Sequence, residues 1–135
     1  MAGKILNIIL GSIVAIAIAH TLALKFYLYY ELWWFDILMH FAAGAWTVLF
    51  FLWLLFFSDF FLLDVERKNF LLTSALSISF LFLVAVGWEI FELHFGLTFI
   101  EDSDYWQDTI SDIFSALSGG LLTLWLFFRA VFTKF

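Results

Sequence analysis

The chain is 135 residues long, carries a net charge of −6, and contains no cysteine and no proline. Hydrophobic residues make up 65% of it and charged residues 13%, with a mean hydropathy of +1.06. A soluble domain is about half apolar and a quarter charged, so this composition belongs in a lipid bilayer. The missing cysteines exclude disulfides, thiolate metal sites, covalent c-type haem attachment and cysteine nucleophiles, and the acidic balance offers nothing to nucleic acid.

Four apolar stretches follow one another. The first, 5–24, lies between Lys4 and Lys25. It exceeds the roughly 7–15 residues of a secretory signal core and has no clear cleavage site, so it is expected to span the membrane. The second, 37–57, follows Asp36 and stops at Ser58 and Asp59. The third, 70–95, begins after Arg67 and Lys68 and is apolar apart from two glutamates. The fourth, 109–128, ends at Arg129. About 20 helical residues cross the hydrocarbon layer, where a helix satisfies its own backbone polar groups. The stretches predict an all-α, polytopic integral membrane protein. Residues 1–135 form one four-helix transmembrane bundle, with no internal repeat or domain boundary.

Lys4, Arg67, Lys68, Arg129 and Lys134 fall on one side and only Lys25 on the other. The positive-inside rule then predicts that both termini and the 58–69 loop are cytoplasmic. The protein is expected in the cell membrane, multi-pass, and in the inner membrane of a Gram-negative cell. Nine of the twelve acids, all three histidines and all four tyrosines fall toward the opposite, outer face. Phe26, Tyr27, Tyr29, Tyr30, Trp33 and Trp34 form an aromatic belt there, where rings sit at headgroup level. Gly11, Ala15, Ala19 and Ala23 on the first helix recur every four residues, as do Ser111, Ser115, Gly119 and Thr123 on the fourth. Such stripes let helix backbones approach closely.

Asp36 and His40 open the second stretch, Glu89 and Glu92 close the third, and Asp108 and Asp112 open the fourth. Counting about 1.5 Å per residue from the cytoplasmic anchors brings His40, Glu89 and Asp112 to one depth, near the outer edge of the hydrocarbon. His20 is about one turn deeper. The members of each pair are three or four residues apart and share a helix face. Carboxylates within a span are costly and usually face a bundle interior, a cavity or a cation. Five of them and an imidazole cannot all be charged in a partly dry layer: either some are protonated or cations lie among them.

Oxygen ligands with one His and no thiolate suit Mg²⁺, Mn²⁺, Ca²⁺, Zn²⁺ or iron. The expected ligands of a divalent metal ion are Asp36, His40, Glu89 and Asp112, with Glu92 and Asp108 as candidate catalytic acid–base groups. Carboxylates on facing helices also hold di-metal centres, though those use Glu-x-x-His where this chain has Glu-x-x-Glu. Plainer roles compete. Asp36 and Asp108 also stand where a helix N-cap is wanted, and Glu101, Asp102 and Asp104 read as a solvated loop. His94 lies about 140° around the helix from Glu89, outside the ligand shell. His20 reads as a hydrogen-bonded packing residue.

At these residues the chain resembles the YjdF-like family of bacterial inner-membrane proteins. The matching pieces are Asp36-Ile-Leu-Met-His40-Phe41-Ala-Ala-Gly44, then Trp88-Glu89-Ile-Phe-Glu92, then Asp104-Tyr-Trp-Gln-Asp108-Thr-Ile-Ser-Asp112 and the small residues up to Gly119. The resemblance covers 36–120. Members are generally longer, with extra spans, so it implies a reduced core of that architecture and no particular reaction. A looser similarity reaches the VanZ-like membrane proteins, named for glycopeptide-antibiotic resistance. It lies in an Asp/His helix start, an acidic helix end and an Asp-headed last helix. The Gln and Arg around that family's second and third motifs are absent, so resistance is not implied.

The function expected first is a metal-dependent hydrolase or transferase at the outer leaflet, acting on a lipid or lipid-linked substrate. No Ser/His/Asp arrangement supports covalent serine chemistry. Three alternatives stay open. A cation- or proton-handling protein would need a homo-oligomer, because no acid continues the path through the inner half. A haem-binding electron carrier would use two of His20, His40 and His94 as axial ligands. A non-catalytic accessory subunit would pair its acids with a partner.

Overall fold

Without proline, and in a solvent that cannot hydrogen-bond the backbone, each apolar stretch folds as one unbroken helix. The computed structural model describes residues 2–58, 60, 66, 69–97, 100 and 103–132, apart from the side chains of Ala2 and Phe132. Its helices are α1 (Ala2–Lys25), α2 (Leu28–Glu31), α3 (Trp33–Phe57), α4 (Phe70–His94) and α5 (Tyr105–Phe132). Four of them are long and apolar enough to cross a membrane: Gly3–Lys25, Trp33–Phe57, Phe70–His94 and Tyr105–Val131. Arg67, Lys68, Glu101, Asp102 and Lys134 lie outside the described residues.

α3 and α5 start earlier than their apolar runs, and this corrects the capping roles. Leu32 is the N-cap of α3, in extended conformation, so Asp36 falls within the first turn. The Asp108 amide already donates to the Asp104 carbonyl at 2.9 Å, so Asp108 is inside α5. Aromatic and polar residues ahead of each run, Trp33 to Phe35 and Tyr105 to Gln107, prolong the helix into the headgroup layer. The single turn α2 has no apolar periodicity to announce it. It begins after Tyr27, which takes a left-handed φ of 56°.

Both ends of α4 are chemically marked. The Asn69 side chain accepts from the Leu72 amide at 3.1 Å, an N-cap. At the other end Gly96 adopts φ 66°. There the Leu97 amide donates to the Glu92 carbonyl at 2.9 Å and the Gly96 amide to Leu93 at 3.3 Å. This is the Schellman stop, which favours glycine at the left-handed position. It fixes the helix end just beyond Glu89 and Glu92.

α3 is the central element. It packs most extensively on α5, and also on α4 and α1; among the described residues α1 touches neither α4 nor α5. Val48, Leu52, Leu81, Ala116, Leu124 and Phe128 make the core between α3, α4 and α5. The α3–α5 contact rests on absent side chains. A Cβ on Gly44 would run into the Ala116 carbonyl, 2.6 Å from its carbon, and one on Gly119 would meet the Phe41 carbonyl and the Ala45 amide nitrogen, the latter at 3.0 Å.

The small-residue stripe of α5 therefore acts as expected at Gly119. That of α1 does not. Ala23 is buried, but Gly11 and Ala15 are exposed, and nothing comes within 4 Å of a Cβ built on Gly11. A four-residue step overshoots one 3.6-residue turn by about 40°, so the stripe winds out of the contact over three steps. α1 is held instead by Ile9, whose carbonyl accepts from Trp46 Nε1 at 2.9 Å, and by Ala23.

Candidate cation site

Asp36 and His40 occupy successive turns at the start of α3, and Asp112 lies two turns into α5, which runs parallel to it. The Gly44–Ala116 contact one turn below brings these two helix starts together. His40 Nε2 stands 3.5 Å from Asp36 Oδ1 and 3.5 Å from Asp112 Oδ2. One ligand atom from each of the three residues lies within 4.8 Å of the others. Asp112 is only 3% exposed, while Asp36 faces the rim.

These separations are long for direct pairing. A charge-assisted N–H···O bond closes to about 2.7–2.9 Å, and one ring nitrogen cannot aim its proton at two oxygens. By contrast, ligands about 2.0–2.2 Å from a shared ion are about 3–3.6 Å from one another. The donor set of two carboxylates and one imidazole suits a borderline or hard divalent cation.

The two glutamates of α4 are engaged differently. Glu89 is buried, and its Oε2 accepts from Thr109 Oγ1 of α5 at 2.8 Å. Glu92 is half-buried and accepts from Trp88 Nε1 at 2.9 Å through Oε1. Each carboxylate keeps a second oxygen. Asp108 is exposed at the outer rim. Of the six residues singled out in the sequence, three thus form one tripod, and Glu89 is tied to Thr109 on α5.

Three participants lie outside the set of site residues expected from the sequence. Trp88 opens the piece that holds Glu92 and is four residues before it, a neighbour on any helix. Thr109 stands between Asp108 and Asp112 in the last matched piece. Tyr29 lies on the unpredicted α2, where its hydroxyl meets His20 Nδ1 at 2.7 Å. The Tyr29 phenol is pushed up to about 12, first by burial and then by the charges of Asp36 and Glu92. His20 is therefore the hydrogen-bonded packing residue expected of it, and His94 is exposed, edge-on to Phe95 at 5.1 Å.

Fold and site together define a class: an all-helical, multi-pass protein of the cell membrane, with a carboxylate–imidazole cluster at one end of its bundle. Residues 4–132 match the model of a family described as predicted membrane protein (DUF2238), and the chain belongs to that family. No curated protein and no solved structure matches the chain.

Proposed function

We propose that the protein binds a divalent cation between Asp36, His40 and Asp112 and uses it to hydrolyse or transfer a lipid or lipid-linked group at the outer leaflet. The observation that carries this reading is one imidazole nitrogen 3.5 Å from carboxylates of two different helices. Glu89, outside that 4.8 Å tripod, offers a further carboxylate through the oxygen not bonded to Thr109. A bound divalent ion supplies Lewis acidity and makes water a better nucleophile. Glu92, beside that ligand set, accepts the proton of the attacking water, and Asp108 at the rim returns one to the leaving group. The aromatic belt holds the substrate's headgroup level.

The Lys/Arg asymmetry supports an outward-facing site with cytoplasmic termini. The order of the His, Glu-x-x-Glu and Asp-Thr-x-x-Asp pieces supports kinship with YjdF-like proteins and, more loosely, VanZ-like ones. A transmembrane cation or proton path has less support. Below Glu89 the same face of α4 continues through Ala85 to Leu81, which is 1% exposed, before the next hydroxyl at Ser77.

Elemental analysis of protein purified without chelator or metal resin should find a stoichiometric divalent ion. Asp112→Asn with Glu89→Gln should lower both the metal content and the melting temperature, because ligand binding to the folded state adds stability. If the acids merely repel one another, the same substitutions should raise the melting temperature. A metal-free wild type, indifferent to chelator and less stable than the double variant, would refute the cation site.

A further inference from the structure

A hydroxyl inside a spanning helix ordinarily bonds the carbonyl one turn back, because lipid offers it no other acceptor. Thr21, Thr47, Ser115, Ser118 and Thr123 do so here, at 2.8–3.2 Å. Two hydroxyls of α4 break the pattern. Thr73 and Ser77 are both 0% exposed, and neither Thr73 Oγ1 nor Ser77 Oγ has a hydrogen-bond partner. The same local bond lay open to each of them, since the carbonyl four residues back is that of Asn69 for Thr73 and that of Thr73 for Ser77.

The two side chains stand one turn apart and continue the buried row of Leu81, which packs in the core between α3, α4 and α5. Leu81, 1% exposed, closes that row on the side of the acidic cluster. On the other side Phe70 sets its ring against that of Phe128 on α5, with centroids 4.7 Å apart. A buried hydroxyl left unbonded gives up its hydration and gains nothing in return. Two of them on one face of one helix call for a shared partner.

The spacing fits such a partner. Side chains four apart on a helix have Cβ atoms about 5–6 Å from each other, and two O–H···O bonds of about 2.8 Å in series span the same distance. One oxygen between the two hydroxyls therefore bonds both. Further acceptors are at hand: the Asn69 carbonyl takes the Thr73 amide at 3.1 Å, and a carbonyl keeps a second lone pair beside its helix bond.

We infer that Thr73 and Ser77 form a binding site for an internal water molecule, held in the core between α4 and its two neighbours. Water matches the donor set, because each hydroxyl both donates and accepts and the site carries no charge. Buried water makes about three bonds to groups that lack another partner. A metal ion fits less well, since hydroxyls and helix carbonyls bring no compensating negative charge. The site lies about three turns of α4 away from Glu89 and is independent of the cation reading.

The test uses the full chain in lipid bilayers and magic-angle spinning NMR, with magnetisation passed from water protons to carbon. The Cβ atoms of Thr73 and Ser77 should receive it, while the side chains of Leu81 and Leu124 should not. Thr73→Val, which keeps the shape of the side chain, should abolish the signal at Ser77. Thermal melts give a second reading. Thr73→Val and Ser77→Ala should each lower the melting temperature, because each leaves the water and the remaining hydroxyl under-bonded. The double variant removes the whole polar site, so it should melt no lower than the worse single variant. The inference is overturned if neither Cβ receives magnetisation from water. It is equally overturned if either single variant melts above the wild type, which would mean that a bare hydroxyl had been removed. Single losses that simply add would overturn it too, since each hydroxyl would then have its own backbone partner.

Discussion

Tyr29 joins the first helix to the acidic cluster, since its hydroxyl bonds His20 at 2.7 Å and its ring meets Phe35 edge-on with centroids 5.4 Å apart. Its phenol is held up to about 12 by burial and by the fields of Asp36 and Glu92. An unfolded phenol titrates near 10, so the folded protein keeps this proton more tightly than the unfolded chain does. Its contribution to stability is therefore full below about pH 10 and is lost as pH rises through about 12. The melting temperature of the wild type should fall across that interval. Tyr29→Phe should flatten the fall, while costing about 1 kcal/mol at neutral pH for the lost hydrogen bond. Thermal melts of both proteins between pH 8 and 12 decide the matter, and equal slopes would show that α2 does not feel the cluster. Glu89 and Asp112, by comparison, could be recognised in the sequence because each is a carboxylate inside an apolar run. Tyr29 could not, because its partners lie across a turn that no periodicity predicts.

At the level of elements, two kinds of small-residue stripe look alike in the sequence and behave differently in the fold. Gly44 and Gly119 stand where α3 and α5 cross backbone to backbone, and any Cβ there meets the facing main chain. Overpacking of a filled contact costs about 1–3 kcal/mol, and here the obstacle is backbone that cannot rotate away. Gly44→Leu or Gly119→Leu should therefore lower stability by at least that amount and loosen the Asp36–His40–Asp112 cluster one turn above. Gly11→Leu should be tolerated, since a Cβ at Gly11 meets nothing. Melting temperatures of the three variants in one detergent test the contrast, and a Gly11 variant as damaged as the others would mean that α1 has a close partner. Spacing alone identified both stripes. What it lacked was the register of the neighbouring helix, which depends on where two helices cross and not on either sequence by itself. α3 and α5 begin ahead of their apolar runs for a related reason. Hydropathy marks where a helix enters hydrocarbon, whereas the helix itself continues into the headgroup layer while its residues allow it.

For the molecule as a whole, hydropathy was enough to find four spans because lipid leaves a chain no alternative to helices. The common depth of His40, Glu89 and Asp112 followed from counting, since straight spanning helices rise uniformly. The peripheral position of α1, attached to α3 alone among the long helices described, was not legible, because lipid-facing and core-facing residues are equally apolar. Four crossings bring Ala2 and Phe132 to the same side of the membrane, and the charges choose which side. One end of the bundle holds Asp36, Glu92 and Asp108, and the other holds Lys4 and Arg129. Bases near span ends are retained in the cytoplasm, and acids weigh little in that choice. The acidic cluster should therefore face out. A cysteine at Ser103, exposed beside the start of α5, should react with an impermeant maleimide added to intact cells, and one at Glu66, exposed ahead of α4, should react only after lysis. The reverse pattern would turn the molecule over. The cluster would then meet cytoplasmic metabolites, and the end that holds Lys4 and Arg129 would face out, so this one measurement decides which side of the membrane each end meets.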